Sequence, residues 1–342
     1  MQYLQHLMTS ASVPFALNSL LETAFAPVSH DLDELSHRLP SYLPVHSASA
    51  RLISEHLFGA GGKRIRPALL MMCARLFEKP SEHYFPMAAV CEFVHTASLL
   101  HDDVVDNSTL RRNRPTANSV WGDESAVLVG DLIYARASEL MADTGKLAIV
   151  RSFAEAIRLM SEGELLQLEN IFDAALSEDR YLDVVFKKTA VLIAAACQAS
   201  AILADAPQTQ IEALAVYGTS VGMTFQIVDD CLDYVNASDK LGKPVLADLS
   251  QGKVTLPLIH LLRDASESEK EFLGELFKKT SHTPEENQRV QDLMMKHGSV
   301  DSALKLAQSY STKAQGALGI FPVSQARQDL EAIVGYLMLR DC

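Results

Sequence analysis

Two runs of aspartate stand out by their spacing. Asp102, Asp103 and Asp106 form DDVVD behind the apolar stretch ASLLH, and Asp229, Asp230 and Asp233 form DDCLD behind TFQIV. The first and last aspartates of each run are four residues apart. On a helix that spacing puts them on one face, with Cβ atoms about 5–6 Å apart. Two such pairs facing each other can hold hard cations through oxygen. Mg²⁺ suits them, because it takes one or two carboxylates, keeps several waters and completes its shell with substrate phosphate. A single run of this kind is most often a solvated helix end or an acidic cap for the next helix. Here it occurs twice, each time behind a segment apolar enough to bury its helix, and unpaired carboxylates near a core are costly. Metal binding is the better reading.

An acidic cage holds an anion only if metal and basic side chains surround it. Arg111 and Arg112 come after the first run in the polar loop NSTLRRNRPT, where guanidinium forks can grip phosphate bidentately. Lys243 and Lys253 come after the second run in DKLGKPVLADLSQGK. Lys63, Arg64 and Arg66 lie in GAGGKRIRP, just before a helix that Pro67 would open at its first position. Basic groups there oppose the helix dipole, and a bound anion would resolve the conflict. The stretch lacks the spacing of a nucleotide phosphate loop, and no strand precedes it. His95 falls on the apolar face ahead of Asp102, where a histidine is more often a satisfied core residue. Lys188 and Thr189 are expected to begin a long apolar helix, and a lysine facing a core asks for a partner.

The elements that must position these groups read as helices nearly throughout. Apolar residues recur at three and four, as in Leu128, Leu132, Ala135 and Ile133, Ala137, Leu140, and β alternation is hard to find. Breakers at Gly59–Gly62, Asn113–Pro115, Gly145, Pro207, Gly242–Pro244, Pro257, Pro284 and Pro322 divide the chain into roughly ten helices. No Ser-, Gly- or Pro-rich linker separates two cores. The expectation is one all-α domain over residues 1–342, with residues 1–28 as a leading helical extension.

Composition narrows the function classes. Hydrophobic residues make up 48% of the chain and charged residues 21%, as in a globular protein with a large core. The formal net charge of −13 disfavours general binding to nucleic acid or anionic lipid. The five cysteines are widely spaced, which fits neither a disulfide framework nor a zinc site and points to free thiols in a reducing cytoplasm. No secretory signal opens the chain. The most apolar stretch, Ala190 to Ala204, is shorter than the ~18–20 residues a membrane span needs, so it reads as a buried helix.

Four motifs in order carry a family resemblance. FVHTASLLHDDVVDNSTLRRNRPTANSVWG resembles the first aspartate-rich region of the trans-polyprenyl diphosphate synthases, and GMTFQIVDDCLDYVNASDKLGKPVLADLSQGKVTLPL resembles their second. GGKRIRP and KKTA, at Lys187 to Ala190, match two further family motifs. The similarity runs from about residue 30 to the C-terminus and is strongest toward bacterial long-chain, octaprenyl-type members. It implies the isoprenoid synthase fold, antiparallel helices around a deep central cavity, as a homodimer. It implies two Mg²⁺ ions on Asp102 and Asp106 and a third on Asp229, with Asp230 and Asp233 assisting. Arg111, Lys188 and Lys243 would hold the allylic diphosphate, and Lys63, Arg66, His95 and Arg112 the isopentenyl diphosphate. Thr189 and Gln226 would lie beside the developing allylic cation, and Lys253 would close over the site. Asn113 departs from the Gly usual after the arginine pair, and Asp123 from the commoner Asn, which bears on loop conformation.

The same resemblance bears on product length. In the family, bulky residues four or five positions before the first aspartate stop elongation early. Here those positions hold Ser98 and Ala97, with Val94 and Cys91 below on the same face, so a tail of roughly C40 for quinone side chains is expected. Leu128 and its neighbours are candidates for the tunnel floor. The lipid product could be handed to a membrane, although the chain itself needs no span. A class I terpene cyclase shares the first motif but has an Asn/Ser/Glu second motif and lacks GGKRIRP. A non-catalytic subunit would have degraded aspartate runs, and these are intact.

Overall fold

Helical periodicity becomes helix along nearly the whole chain. The computed structural model describes residues 23–59, 61–77, 81–111, 114–235, 246–277, 279 and 281–339. Arg112, Asn113, Lys243 and residues 1–22 of the expected leading extension lie outside the described residues. After a 3₁₀ turn at Ala26–Val28 come α1 (Ser29–Tyr42), α2 (Ala48–Gly59), α3 (Ile65–Ala74) and α4 (Tyr84–Val105). A two-residue ribbon pairs β1 (Leu110–Arg111) with β2 (Arg114–Pro115), Arg111 opposite Arg114. Next are α5 (Ala117–Trp121), α6 (Asp123–Asp143) and α7 (Leu147–Glu169). Then α8 (Glu178–Val185), a π turn (Phe186–Ala190) and α9 (Val191–Leu203) run on without a break. The remaining helices are α10 (Gln208–Val235), α11 (Ala247–Ser250), α12 (Leu256–Asp264), α13 (Glu267–Leu276), α14 (Pro284–His297), α15 (Ser299–Ala317) and α16 (Gln325–Met338). Asp123 opens α6 after Gly122, where a carboxylate favours the positive end of the helix dipole.

Lys188 and Thr189 do not begin a helix, contrary to the expectation from sequence. The helix begins ten residues earlier, where Ser177 Oγ accepts from the Arg180 N–H at 3.3 Å and Glu178 and Asp179 occupy the first turn. Both residues sit instead in the π turn, a wide loop of helix that recurs at functional sites. Two glycines make room for it. A Cβ on Gly163 of α7 would lie 2.8 Å from Lys187 Cβ and 2.9 Å from the Lys188 nitrogen. A Cβ on Gly222 of α10 would lie 2.5 Å from Ala190 Cα. The turn is thus seated between two helices whose backbones approach closely only because these positions lack a side chain.

The apolar stretch from Ala190 therefore belongs to a longer helix, Glu178–Leu203, of 26 residues, whose most apolar 18-residue window has mean hydropathy 1.4. It and α10 are long and apolar enough to cross a membrane, but 72% and 56% of their most apolar windows are buried inside the protein. The buried side chains form two groups. One gathers α1–α7, α9, the first half of α10, the end of α15 and α16; the other gathers the second half of α10 with α8, α11–α14 and the first part of α15. α10 is the shared wall, giving Leu214, Tyr217 and Val221 to the first and Ile227, Val228 and Cys231 to the second. Cys73, Cys91, Cys197 and Cys231 are buried and form no disulfide, and burial pushes the Cys91 thiol up.

Candidate active site

A cavity of about 1400 Å³ opens where the ends of α4, α7 and α10 meet the π turn and the loop before α3. It exceeds the ~300–1,000 Å³ of ordinary small-ligand pockets. Of the side chains singled out from sequence, the lining contains Lys63, Arg66, His95, Asp102, Arg111, Lys188, Thr189, Gln226 and Asp229. Elements far apart in sequence therefore deliver both aspartate runs, the cations and the KKTA pair to one space. Asp106, Asp230, Asp233 and Lys253 are not among the lining residues.

The first run ends α4. Asp102 points into the cavity, whereas Asp106 is exposed at the C-cap and donates its N–H to the Asp102 carbonyl at 2.8 Å. Burial, then the nearby Glu164 carboxylate, push the Asp102 carboxyl up to about 6, against the opposing pull of Lys188 and Arg111. Asp103 turns the other way. It is 4% exposed and accepts from Arg111 Nε at 2.9 and 3.1 Å, with Arg111 Nη2 2.8 Å from Oδ1. This fork fixes the guanidinium at the cavity wall.

Glu164 and Gln167 of α7 are the groups sequence reasoning missed. Lys188 Nζ lies 2.5 Å from Glu164 Oε2 and donates to Gln167 Oε1 at 3.1 Å. Glu164 Oε1 is buried without a hydrogen-bond partner. A signal was present: a carboxylate in EGELLQLEN shares a face with Met160, Leu165 and Leu168, which also line the cavity.

The second run ends α10. Asp229 lines the cavity, while Asp230 is 6% exposed and engaged on both oxygens. Tyr181 Oη donates to Oδ2 at 2.6 Å and Gln226 Nε2 donates to Oδ1 at 2.7 Å. Gln226 Oε1 in turn accepts from Thr189 Oγ1 at 3.0 Å. Burial, with Asp248 and Asp229 adding to it, pushes the Asp230 carboxyl well up. Asp233 accepts from the N–H groups of Ala247 and Asp248 at 3.3 and 3.1 Å, so it anchors the start of α11. Lys253 lies just past α11 with its N–H on the Asp248 carbonyl at 2.8 Å.

The loop before α3 supplies the basic end. Arg64 takes the left-handed conformation, φ 46°, and pairs with Glu92 of α4 at 2.8 Å, both side chains being largely buried. The pair ties the loop to the helix that carries His95 and Asp102. Lys63 and Arg66 flank it on the cavity lining.

Toward the apolar end, Ser98 lines the cavity and donates to the His95 carbonyl at 2.8 Å. Ala97, Val94 and Cys91 are fully buried in the core, so the lining descends α4 only as far as Ser98 and, one turn on, His95 and Glu92. Leu128 is 66% exposed and off the lining, which removes it as a tunnel floor within one chain. Its helix turns Tyr134 to the cavity instead.

The donor set fits Mg²⁺ with diphosphate. Among the described residues no group of three or more His, Cys, Asp or Glu side chains gathers to hold an ion unaided. Mg²⁺ does not require one, since substrate phosphate and water fill most of its shell. Asp102 raised by burial, Asp229 across from it and the orphaned Glu164 oxygen are carboxylates that a cation would satisfy.

Comparison with known proteins agrees with this arrangement. Residues 48–294 match the family model described as polyprenyl synthetase. The chain is 41% identical to the octaprenyl diphosphate synthase of Haemophilus influenzae over 275 residues, 80% of this chain and 83% of that one. A crystal structure of a decaprenyl diphosphate synthase from Rhodobacter capsulatus superposes with TM-score 0.88 at 36% identity, covering 94% of this chain and 99% of that one. A polyprenyl synthase from Caulobacter crescentus, crystallised with calcium and isoprenyl diphosphate, gives 0.87 at 37% identity, covering 94% and 98%.

Proposed function

Since the chain belongs to the polyprenyl synthetase family and is a prenyltransferase of the long-chain trans type, we propose that it extends an allylic diphosphate, farnesyl diphosphate by preference, with isopentenyl units to about C40 for quinone side chains. The observation that carries this reading is the convergence of Asp102, Asp229, Lys63, Arg66 and Lys188 on one large cavity. Mg²⁺, three ions with diphosphate bound, would be held by Asp102, Asp106 and Asp229 and would neutralise the leaving diphosphate.

The chain's own groups do the rest. Arg111, Lys188 and Lys243 hold the allylic diphosphate, and Lys188 exchanges Glu164 for phosphate as it does so. Lys63, Arg66, His95 and Arg112 hold the isopentenyl diphosphate. Asp230 and Asp233 assist from behind, one by fixing Gln226 and the other by anchoring α11. The allylic C–O bond breaks with its electron pair leaving on the diphosphate. The C4 alkene carbon of isopentenyl diphosphate attacks the cation, and loss of the C2 proton to the released diphosphate restores an allylic product. Thr189 and Gln226 flank the cation, Lys253 closes over it, and the apolar wall excludes water. Holding both substrates together supplies much of the rate gain.

The proposal includes one catalytic domain over the whole chain, a cytoplasmic location in keeping with buried free thiols, and a homodimer. Val120, Val127 and Leu128, exposed on α5 and α6, support the last. Incorporation of labelled isopentenyl diphosphate onto C5, C10, C15 and C20 starters, with and without Mg²⁺, tests the reading. Mg²⁺-dependent incorporation is expected; a hydrocarbon made from the starter alone, or no incorporation with any starter, contradicts it.

A further inference from the structure

The hydrogen-bonded chain behind the cavity runs farther than the reaction needs on its face. It starts at Thr189 and Gln226, which line the cavity, and passes through Asp230 to Tyr181 of α8, which is 5% exposed and off the lining. Its direction is determined by chemistry. Gln226 Nε2 donates to Asp230 Oδ1 while Tyr181 Oη donates to Oδ2, so the Gln226 amide oxygen is the atom that faces Thr189, which donates to it. Tyr181 donates its phenolic O–H to the other Asp230 oxygen at 2.6 Å. It therefore serves as the second donor that holds the Asp230 carboxylate in place.

The opposite amide orientation would aim an N–H at the cavity. A cation forming there is favoured by oxygen lone pairs and opposed by an N–H dipole, and fixed dipoles of the right sign act most strongly where water is excluded. We propose that Tyr181 is a positioning residue for the condensation: through Asp230 it fixes the Gln226 amide so that the Gln226 and Thr189 oxygens present their negative ends to the allylic cation. The inference rests on the prenyl-transfer reading, and it also makes Asp230 a hydrogen-bond anchor rather than a metal ligand.

The test is a double-mutant cycle on the full-length enzyme with Mg²⁺, farnesyl diphosphate and isopentenyl diphosphate. Tyr181→Phe keeps the ring and removes the hydroxyl. It is expected to lower kcat about 10-fold, the loss of one buried hydrogen bond, with both KM values unchanged. In a Gln226→Leu background the same substitution is expected to cost nothing further, because its route to the cavity is gone. An equal loss in both backgrounds, or wild-type kcat in Tyr181→Phe, overturns the proposal. Should Tyr181→Phe not fold, Asp230→Asn tests the chain from its middle. A kcat loss at unchanged Mg²⁺ half-saturation, absent in the Gln226→Leu background, supports the proposal. A shifted Mg²⁺ half-saturation overturns it. Inactive wild-type enzyme would instead count against the prenyl-transfer reading itself, so the two failures are distinguishable.

Discussion

Asp103 holds Arg111 in a two-pronged fork, 2.8–3.1 Å on each contact, with the carboxylate buried behind the guanidinium. The middle aspartate of the first run thus works through an arginine, while its neighbour Asp102 faces the cavity. Asp103→Asn keeps the volume and loses the charge-assisted fork. The KM for the allylic diphosphate should rise about 10-fold, while that for isopentenyl diphosphate stays near wild type. Steady-state kinetics with each substrate varied in turn checks the split; equal rises in both would mean that Arg111 is not selectively oriented.

Asp102 links the site to pH. Its folded pKa, about 6, lies above the usual value of 3.8, so the folded state binds the extra proton between those values. Stability then falls as pH rises from about 4 to 6, and the penalty, up to about 3 kcal/mol, is fully present above pH 6. Metal-free Asp102→Asn should be more stable than wild type at pH 7, with the gap closing below pH 4. Denaturation midpoints across that range measure it, and a gap independent of pH would contradict the burial argument.

Asp102→Ala and Asp229→Ala should each keep the fold and lower turnover by about 10²–10³-fold, since each removes charge that the leaving diphosphate requires. Circular dichroism and initial rates decide the point. Near-normal activity in either variant would refute the metal assignment.

Gly222 lets α10 touch the π turn, so Gly222→Ala should cost about 1–3 kcal/mol of stability and lower kcat by displacing Thr189 against Gln226. Gly335 in α16 has open space where a Cβ would go, and Gly335→Ala should be neutral or stabilising by about 0.4–1 kcal/mol. Thermal unfolding of both variants provides the comparison. Similar midpoints would mean that the close approach at Ala190 relaxes freely.

Ser98 is the small side chain one turn before Asp102 on the lining, and Ser98→Phe should shorten the product without abolishing turnover. Product chain length by chromatography reads this out, and an unchanged length would remove Ser98 from the path of the tail.

The sequence revealed what depends on local spacing. Asp102 and Asp229 were legible because a four-residue interval on a helix fixes which face side chains share, and Lys63, Arg66 and the KKTA pair because their motifs resemble the family's. Contacts between distant segments were not. Asp230 meets Tyr181 across 49 residues and Lys188 meets Gln167 across 21, and nothing in either local pattern names the partner. The π turn escaped notice because one extra residue in a helix leaves the apolar periodicity almost intact. Along α4 the lining runs through Ser98, His95 and Glu92 while Val94 and Cys91 are packed in the core, and helical phase alone does not say which of these faces the neighbours cover.

The most direct test of long-chain synthesis is reversed-phase chromatography of the products made from labelled isopentenyl diphosphate and farnesyl diphosphate by the purified protein with Mg²⁺. The account predicts a ladder of all-trans products ending near C40. Products that stop at C20 would contradict the long-chain assignment while leaving prenyl transfer in place.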